Sequence, residues 1–239
     1  MTTGLPLGGC RRRYSGTVYH FFLNSGLSMG VPMRVLARRE VLGSAAGVAG
    51  LAVFGLAKAA ELPPTPAQTP GPFYPPVLPA DAGADLVHAT GVARGVLTQV
   101  SGRILDHTGR PLAGAGVEIW QCDANGRYHN VDDGRREPPL DASFRGYGRV
   151  VTDEAGGYRF LTIRPVPYPG RTPHIHFAMS APGAARFVTQ MYVAGEKLNE
   201  RDGLYRSLRD PAPVTVPLQP VAQRREYALE GNFDIVLGA

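Results

Sequence analysis

Residues 147–163 read Tyr-Gly-Arg-Val-Val-Thr-Asp-Glu-Ala-Gly-Gly-Tyr-Arg-Phe-Leu-Thr-Ile. Both flanks, 147–152 and 158–163, alternate apolar and polar residues on the two-residue period of a half-buried strand. Between them Asp153-Glu154-Ala155-Gly156-Gly157 supplies turn residues, so the stretch predicts a β-hairpin. The same grammar repeats outward. Residues 98–105 form a strand pattern closed by Asp106-His107-Thr108-Gly109, with Gly where positive φ is tolerated. Residues 116–122 alternate and run into Asp123-Ala124-Asn125-Gly126, a hairpin signal. Residues 174–180 and 187–193 form a further pair, and 226–236 a last long strand. No window sustains helical periodicity, and 30 Gly and 22 Pro among 239 residues favour turns over bundles. The expected fold is all-β, a single Greek-key β-sandwich.

Three irregular stretches, 130–146, 164–173 and 194–213, are long enough to build a site on a rigid sandwich. The sandwich is expected over 93–239, preceded by an extended Pro-rich arm over 60–92. Upstream, Arg38-Arg39-Glu40-Val41-Leu42 opens an apolar run to Leu56, and Ala57-Lys58-Ala59 follows as an A-x-A cleavage site. Residues 33–59 therefore resemble a bacterial twin-arginine signal. Export to the periplasm or beyond is the expectation, with a membrane touched only through that leader, as an anchor if it is not cleaved. Residues 1–32 fit no targeting pattern; translation is expected to start at Met33, leaving 1–32 as a mis-assigned extension.

The charge of +5 belongs to that leader. Residues 1–59 hold seven of the 25 Lys and Arg and one of the 20 acids, so the remainder carries 18 basic and 19 acidic residues. No basic stripe remains to track phosphates, and a nucleic-acid partner is not expected. Two Cys, at 10 and 122, make neither a disulfide framework nor a thiolate zinc site. Cys122 reads as a small buried apolar residue. His88, His107 and His129 read as surface residues, His129 pointing away from Tyr128 if that segment is extended.

The chemistry concentrates in His174-Ile175-His176. On a strand, residues i and i+2 share a face, so both imidazoles project together, about 7 Å apart at Cα, and can converge on a metal. Just upstream, Pro165-Val166-Pro167-Tyr168-Pro169-Gly170-Arg171-Thr172-Pro173 is a loop stiffened by four prolines that presents Tyr168 and Arg171 beside them. Tyr128 follows the Asn125-Gly126 turn. Phenol ionises near pH 10, so a phenolate at neutral pH needs a strong Lewis acid, and hard anionic phenolates suit Fe(III).

At this point the chain resembles the intradiol ring-cleavage dioxygenases, nearest to the protocatechuate 3,4-dioxygenase type. The resemblance runs through Thr69-Pro70-Gly71-Pro72-Phe73-Tyr74, Gly102-Arg103-Ile104-Leu105-Asp106, Val117-Glu118-Ile119-Trp120-Gln121, Gly126-Arg127-Tyr128, Phe144-Arg145-Gly146-Tyr147-Gly148-Arg149, Pro173-His174-Ile175-His176-Phe177 and Phe233-Asp234-Ile235. It implies a non-haem Fe(III) held by Tyr128, Tyr168, His174 and His176, with Tyr168 and His176 axial. It implies that Arg171 stabilises the anionic substrate and that Gln190 supports it. The implied reaction cleaves a catechol, protocatechuate-like, with O2 to a cis,cis-muconate, Tyr168 leaving the metal as the substrate chelates. In the two-subunit members a partner subunit helps to hold the substrate; the arm 69–74 resembles that partner's pocket-lining segment, so one chain can furnish both roles. A homo-oligomer is compatible with this. Two features depart from the family: the loop from Tyr168 to His174 is shorter than in the two-subunit enzymes, and the helical N-terminal dimerisation region of the catechol branch is absent.

Two other readings stand beside it. Gly102–Asp106, Gly109–Ala115 and Thr152–Phe160 also resemble transthyretin-like and carboxypeptidase-regulatory-like sandwiches, which are binding or structural modules of exported proteins. A cupin-type oxygenase would need an acid shortly after His-x-His, and 177–182 contains none.

Overall fold

The computed structural model describes residues 61–238 apart from 130, 131, 133, 182–184 and 223–225. The expected extension 1–32, leader 33–59 and Cys10 lie outside the described residues. Among the described residues no helix is long and apolar enough to cross a membrane.

Two five-stranded sheets carry the chain. The first is organised on β1 (Leu97–Asp106), with β4 (Gly157–Ile163) antiparallel along one edge, from Leu97 opposite Ile163 to Arg103 opposite Gly157. Its other edge is shared by β9 (Leu229–Asn232) and β10 (Ile235–Leu237), both parallel to β1, and β8 (Gln219–Pro220) closes beyond β9. The second sheet runs β3 (Tyr147–Val151), β2 (Gly116–Trp120), β5 (His174–Ser180), β6 (Phe187–Val193) and β7 (Thr215–Val216). Between 193 and 215 lie only a 3-10 turn, Lys197–Arg201, a four-residue helix, Gly203–Arg206, and a second 3-10 turn, Ala212–Val214. The fold is the expected all-β sandwich.

Three expectations of local pairing need correction. The 147–163 stretch is not a hairpin: β3 pairs with β2 and β4 with β1, so Asp153–Gly157 is a corner between the two sheets. Its turn chemistry is the one read from sequence, with Gly156 at φ +73 and Asp153 Oδ1 accepting the amides of Ala155 and Gly157. What period-2 alternation cannot convey is whether the next strand returns to the same sheet. Likewise Asp123–Gly126 closes a tight turn, Gly126 N donating to Asp123 O at 2.9 Å, yet β2 pairs with β3 some 30 residues on rather than with the segment after the turn. The single strand expected over 226–236 is two strands, interrupted at Phe233-Asp234. There the backbone steps across Gly102 of β1, where a Cβ would lie 2.0 Å from the Phe233 carbonyl oxygen. The pairing of β5 with β6 is as expected.

The core lies between the sheets: Val100, Ile104 and Phe160 from the first meet Val117, Ile119, Ile175, Phe177 and Met191 from the second. The outer face of the second sheet is also covered. There Trp120, Tyr147 and Ala178 pack with Cys122, Tyr128, Phe73, Tyr74 and Tyr168. β5 accordingly shows burial on both faces over His174–Met179. The arm supplies part of the cover. Thr65 is bonded to Val236 in the first sheet, Gln68 N donates to Val188 O at 2.8 Å, and Thr189 Oγ1 donates to Pro66 O at 2.7 Å. Farther along, Ala84–Leu86 exchange hydrogen bonds with Leu161, and Leu86 and Val87 enter the core.

Candidate active site

Register builds the floor of the site. Trp120 pairs with His176 and His176 with Gln190, so three strands set these side chains abreast on the outer face of the second sheet. The Trp120 ring stacks on His176, with centroids 4.8 Å apart and planes 5° from parallel. His174, two residues before His176, brings its Nε2 to 3.2 Å from His176 Nε2. Its Nδ1 donates to the Thr172 carbonyl at 2.6 Å. A carbonyl only accepts, so the Nδ1 proton is fixed and the Nε2 lone pair faces inward.

Two loops bring the tyrosines over that floor. Tyr168-Pro169-Gly170-Arg171 is a tight turn, Arg171 N donating to Tyr168 O at 2.9 Å with Gly170 at φ +83. Proline before a positive-φ glycine is the sequence such a turn requires. Tyr128 leaves a turn held by Asp123, whose Oδ1 accepts the amides of Asn125 and Arg127 at 2.9 and 3.0 Å. The loops touch at Gly126, where a Cβ would lie 3.1 Å from Pro167 O. The rings then converge: Tyr128 and Tyr168 meet edge to face at 5.6 Å, Tyr168 lies 5.5 Å from His174, and Tyr128 6.3 Å from His176. The structure thus brings Tyr128, Tyr168, His174 and His176 together.

Arg171 and Gln190 join them. Arg171 Nη2 donates to Gln190 Oε1 at 2.5 Å, and Nη1 lies 3.4 Å from Tyr168 Oη. Gln190 Nε2 donates in turn to Thr69 O at 3.1 Å. The arm of the same chain forms the other wall. A Cβ on Gly71 would lie 3.5 Å from His176 Cε1, and Phe73 stacks on Tyr128 at 4.4 Å and 14°. Tyr74 is clasped to the sheet through Glu118, at 2.8 Å, with Arg186 over its ring and bonded to the same carboxylate.

Burial dominates the electrostatics. It pushes the His174 imidazolium down to about 4, with the Arg171 charge adding to the effect, and holds His176 well below its ordinary value. Both rings are neutral donors at physiological pH. Burial also raises Tyr128 well above the usual phenol range, and it raises Tyr168 against the opposing Arg171 charge. The Tyr128 hydroxyl is buried without a hydrogen-bond partner among the described residues, as is His176 Nδ1. Unpaired buried polar groups are costly, and two inward Nε2 atoms beside an unpartnered phenol suit a cation. Among the described residues no three His, Cys, Asp or Glu side chains form a metal-sized cluster, and the side chains beside the two imidazoles are the phenols of Tyr128 and Tyr168.

Cys122 is buried as expected, its thiol pushed up to about 12 by burial, and its Sγ lies 3.6 Å from Val166 O. His88 is exposed, paired with Asp85, and His107 is half-buried. His129 is not a surface residue: it is 14% exposed, bonded through Nε2 to the fully buried Asp123 at 3.0 Å and packed against Phe144. An acid six residues upstream is no sequence signal for that pairing, which the turn creates. Asp202 was also invisible in sequence. It accepts Arg171 Nε at 2.7 Å from a loop 31 residues away.

The sequence model of the family described as Dioxygenase matches residues 69–239. The protocatechuate 3,4-dioxygenase beta chain of Burkholderia cepacia is 41% identical over 149 residues, 58% of this chain and 63% of that one. Catechol 1,2-dioxygenase of Candida albicans is 31% identical over 153 residues, 56% of this chain and 49% of that one. These matches thus span 49% to 63% of the curated relatives' own length. Among solved structures, the dioxygenase domain of a dioxygenase and carbohydrate-binding protein fusion from Streptomyces sp. SirexAA-E aligns with a TM-score of 0.60 at 32% identity, covering 74% of this chain and 99% of that one. A match of most of the chain to the family's sequence model, over every residue of the site just described, makes this chain a member of the intradiol dioxygenase family.

Proposed function

We propose that the protein is a non-haem Fe(III) dioxygenase that opens the ring of a protocatechuate-like catechol between its hydroxylated carbons, consuming O2 and releasing a cis,cis-muconate. Tyr128, Tyr168, His174 and His176 would hold the iron. When bound, the iron would supply the Lewis acidity to which both catechol oxygens can coordinate and which makes the ring reactive toward O2. The observation that carries this reading is the donor set itself: two neutral imidazoles with Nε2 atoms 3.2 Å apart, beside a buried phenol lacking any partner among the described residues.

The chain's own residues have separate tasks. The Thr172 carbonyl holds the His174 proton at Nδ1 and so keeps Nε2 free. Trp120 fixes the plane of His176 by stacking. Arg171 is permanently charged and points Nη1 at Tyr168 Oη, so it can pair with an ionised Tyr168 or with anionic character developing on the substrate. Tyr168, once ionised, is a base that can accept a catechol proton. Gly71 lets the arm lie close over His176, and Phe73 and Trp120 supply apolar walls that limit water.

The test is a visible spectrum of the iron-loaded protein under nitrogen, before and after catechol. A red-brown tyrosinate-to-Fe(III) band that shifts with catechol and bleaches on admitting oxygen, with muconate formed, is the expected result. A protein that stays colourless after iron loading removes the proposal and favours a binding module on the same sandwich. We further propose that the enzyme acts outside the cytoplasm. Support comes from the Arg38-Arg39 leader, and a periplasmic product whose mass begins at Ala60 is the expected result.

A further inference from the structure

Asp202 stands between the turn Lys197–Arg201 and the short helix Gly203–Arg206, with its side chain wholly buried. Its two oxygens do different things. Oδ1 accepts the amides of Leu204 and Tyr205 at 2.9 and 3.0 Å, which caps the helix. Oδ2 accepts Arg171 Nε at 2.7 Å and the amide of Thr172 at 2.9 Å. The carbonyl of that same Thr172 receives the Nδ1 proton of His174. One carboxylate oxygen therefore touches the site's cation directly and reaches its imidazole through one residue.

A cap alone would need only Oδ1, and four helical residues give little reason to bury a charge. Arg171 gives a better one. With Gln190 alone at Nη2, the guanidinium could swing about a single bond; a second anchor at Nε fixes its plane and leaves Nη1 as the edge facing Tyr168. Thr172 is held on a second side, its Oγ1 donating to Asn199 Oδ1 at 2.8 Å, while Asn199 Nδ2 donates to Val193 O at 2.9 Å. The 197–206 segment thus clasps the 171–174 segment from behind.

We propose that Asp202 is a positioning residue that aims Arg171, and through Thr172 also His174, at the reacting centre. Its kinetic consequence rests on the function proposed above; its structural consequence does not.

Asp202→Asn separates the two roles. The amide oxygen keeps both helix amides, while its NH2 sets donor against donor at Arg171 Nε and Thr172 N. In the full chain free of iron, the Arg171 Nε–H resonance, assigned by its loss in Arg171→Lys, should be protected from solvent exchange and lose that protection in Asp202→Asn. In the iron-loaded chain kcat for catechol should fall about tenfold to a hundredfold, with KM changed far less. Most of that loss should vanish when the substitution is made in an Arg171→Ala background. Retained Nε–H protection, or an equal loss in both backgrounds, overturns the proposal. Should the Asn variant not fold, Asp202→Ser, a good cap too short to reach Arg171, answers the same question. A wild-type chain that binds no iron and cleaves no catechol would sink the proposed function, while the exchange measurement would still decide the role of Asp202.

Discussion

Tyr128 is expensive at the scale of one residue, because its hydroxyl is buried and unpartnered among the described residues. Replacing an unsatisfied buried hydroxyl by hydrogen removes a desolvation cost of about 1–3 kcal/mol. In the iron-free protein Tyr128→Phe should therefore leave the melting temperature unchanged or raise it. In the iron-loaded protein the same change should weaken the visible band and iron retention, and unchanged absorbance would remove Tyr128 from the ligand set. Asp123 is the opposite case, a buried carboxylate with every need met. Burial raises its pKa, but bonds from His129 and from the amides of Asp141, Arg127 and Asn125 outweigh this and hold it below 3.8. A carboxylate depressed in the folded state contributes stability that is complete above the unfolded value and lost as pH falls through the folded one. Acid melts should show the wild type losing more stability than Asp123→Asn below about pH 3.8. At neutral pH denaturant titration should find Asp123→Asn less stable by about 2 kcal/mol.

Strands and turns carry a different constraint, the closeness of two backbones. At Gly102 the chain between β9 and β10 passes over β1 so tightly that a Cβ would meet the Phe233 carbonyl at 2.0 Å. Backbone cannot step aside as a side-chain tip can, so Gly102→Ala should cost about 3 kcal/mol or more in denaturant titration. Gly114 is a useful contrast: at φ +73 with nothing near its Cβ direction, Gly114→Ala meets only backbone strain and should cost about 1 kcal/mol. At this scale the sequence was informative about what each element is and poorly informative about its neighbour. Gly109, Gly126 and Gly156 sit at positive φ where their turns were read. Yet Gly156 turns the chain from one sheet to the other, because alternation records which residues are buried and not which strand buries them.

For the molecule as a whole, the arm and the two site loops close over the outer face of the second sheet, joining residues that are far apart in the chain. A cation bound among them would be a link present only in the folded state, and would stabilise it by mass action. Stripping iron with a chelator should lower the melting temperature, and Fe(III) should restore it; a melting temperature indifferent to iron would argue that the four side chains bind none.

Part of the candidate ligand set was readable before the fold because it is locally encoded, while Tyr128 joined it only through the family resemblance. His174 and His176 share a face by strand geometry, and Tyr168 and Arg171 are joined by a Pro-Gly turn that four residues specify. Alternation and glycine placement likewise determined that the chain is an all-β sandwich. What the tertiary structure alone decided are relations between segments with no shared local code: the stacking of Trp120 on His176 and of Phe73 on Tyr128, His129 against Asp123, and the carboxylate of Asp202 under Arg171. Such pairs depend on strand register and on which loop lies over which, and these are settled by packing all the elements at once.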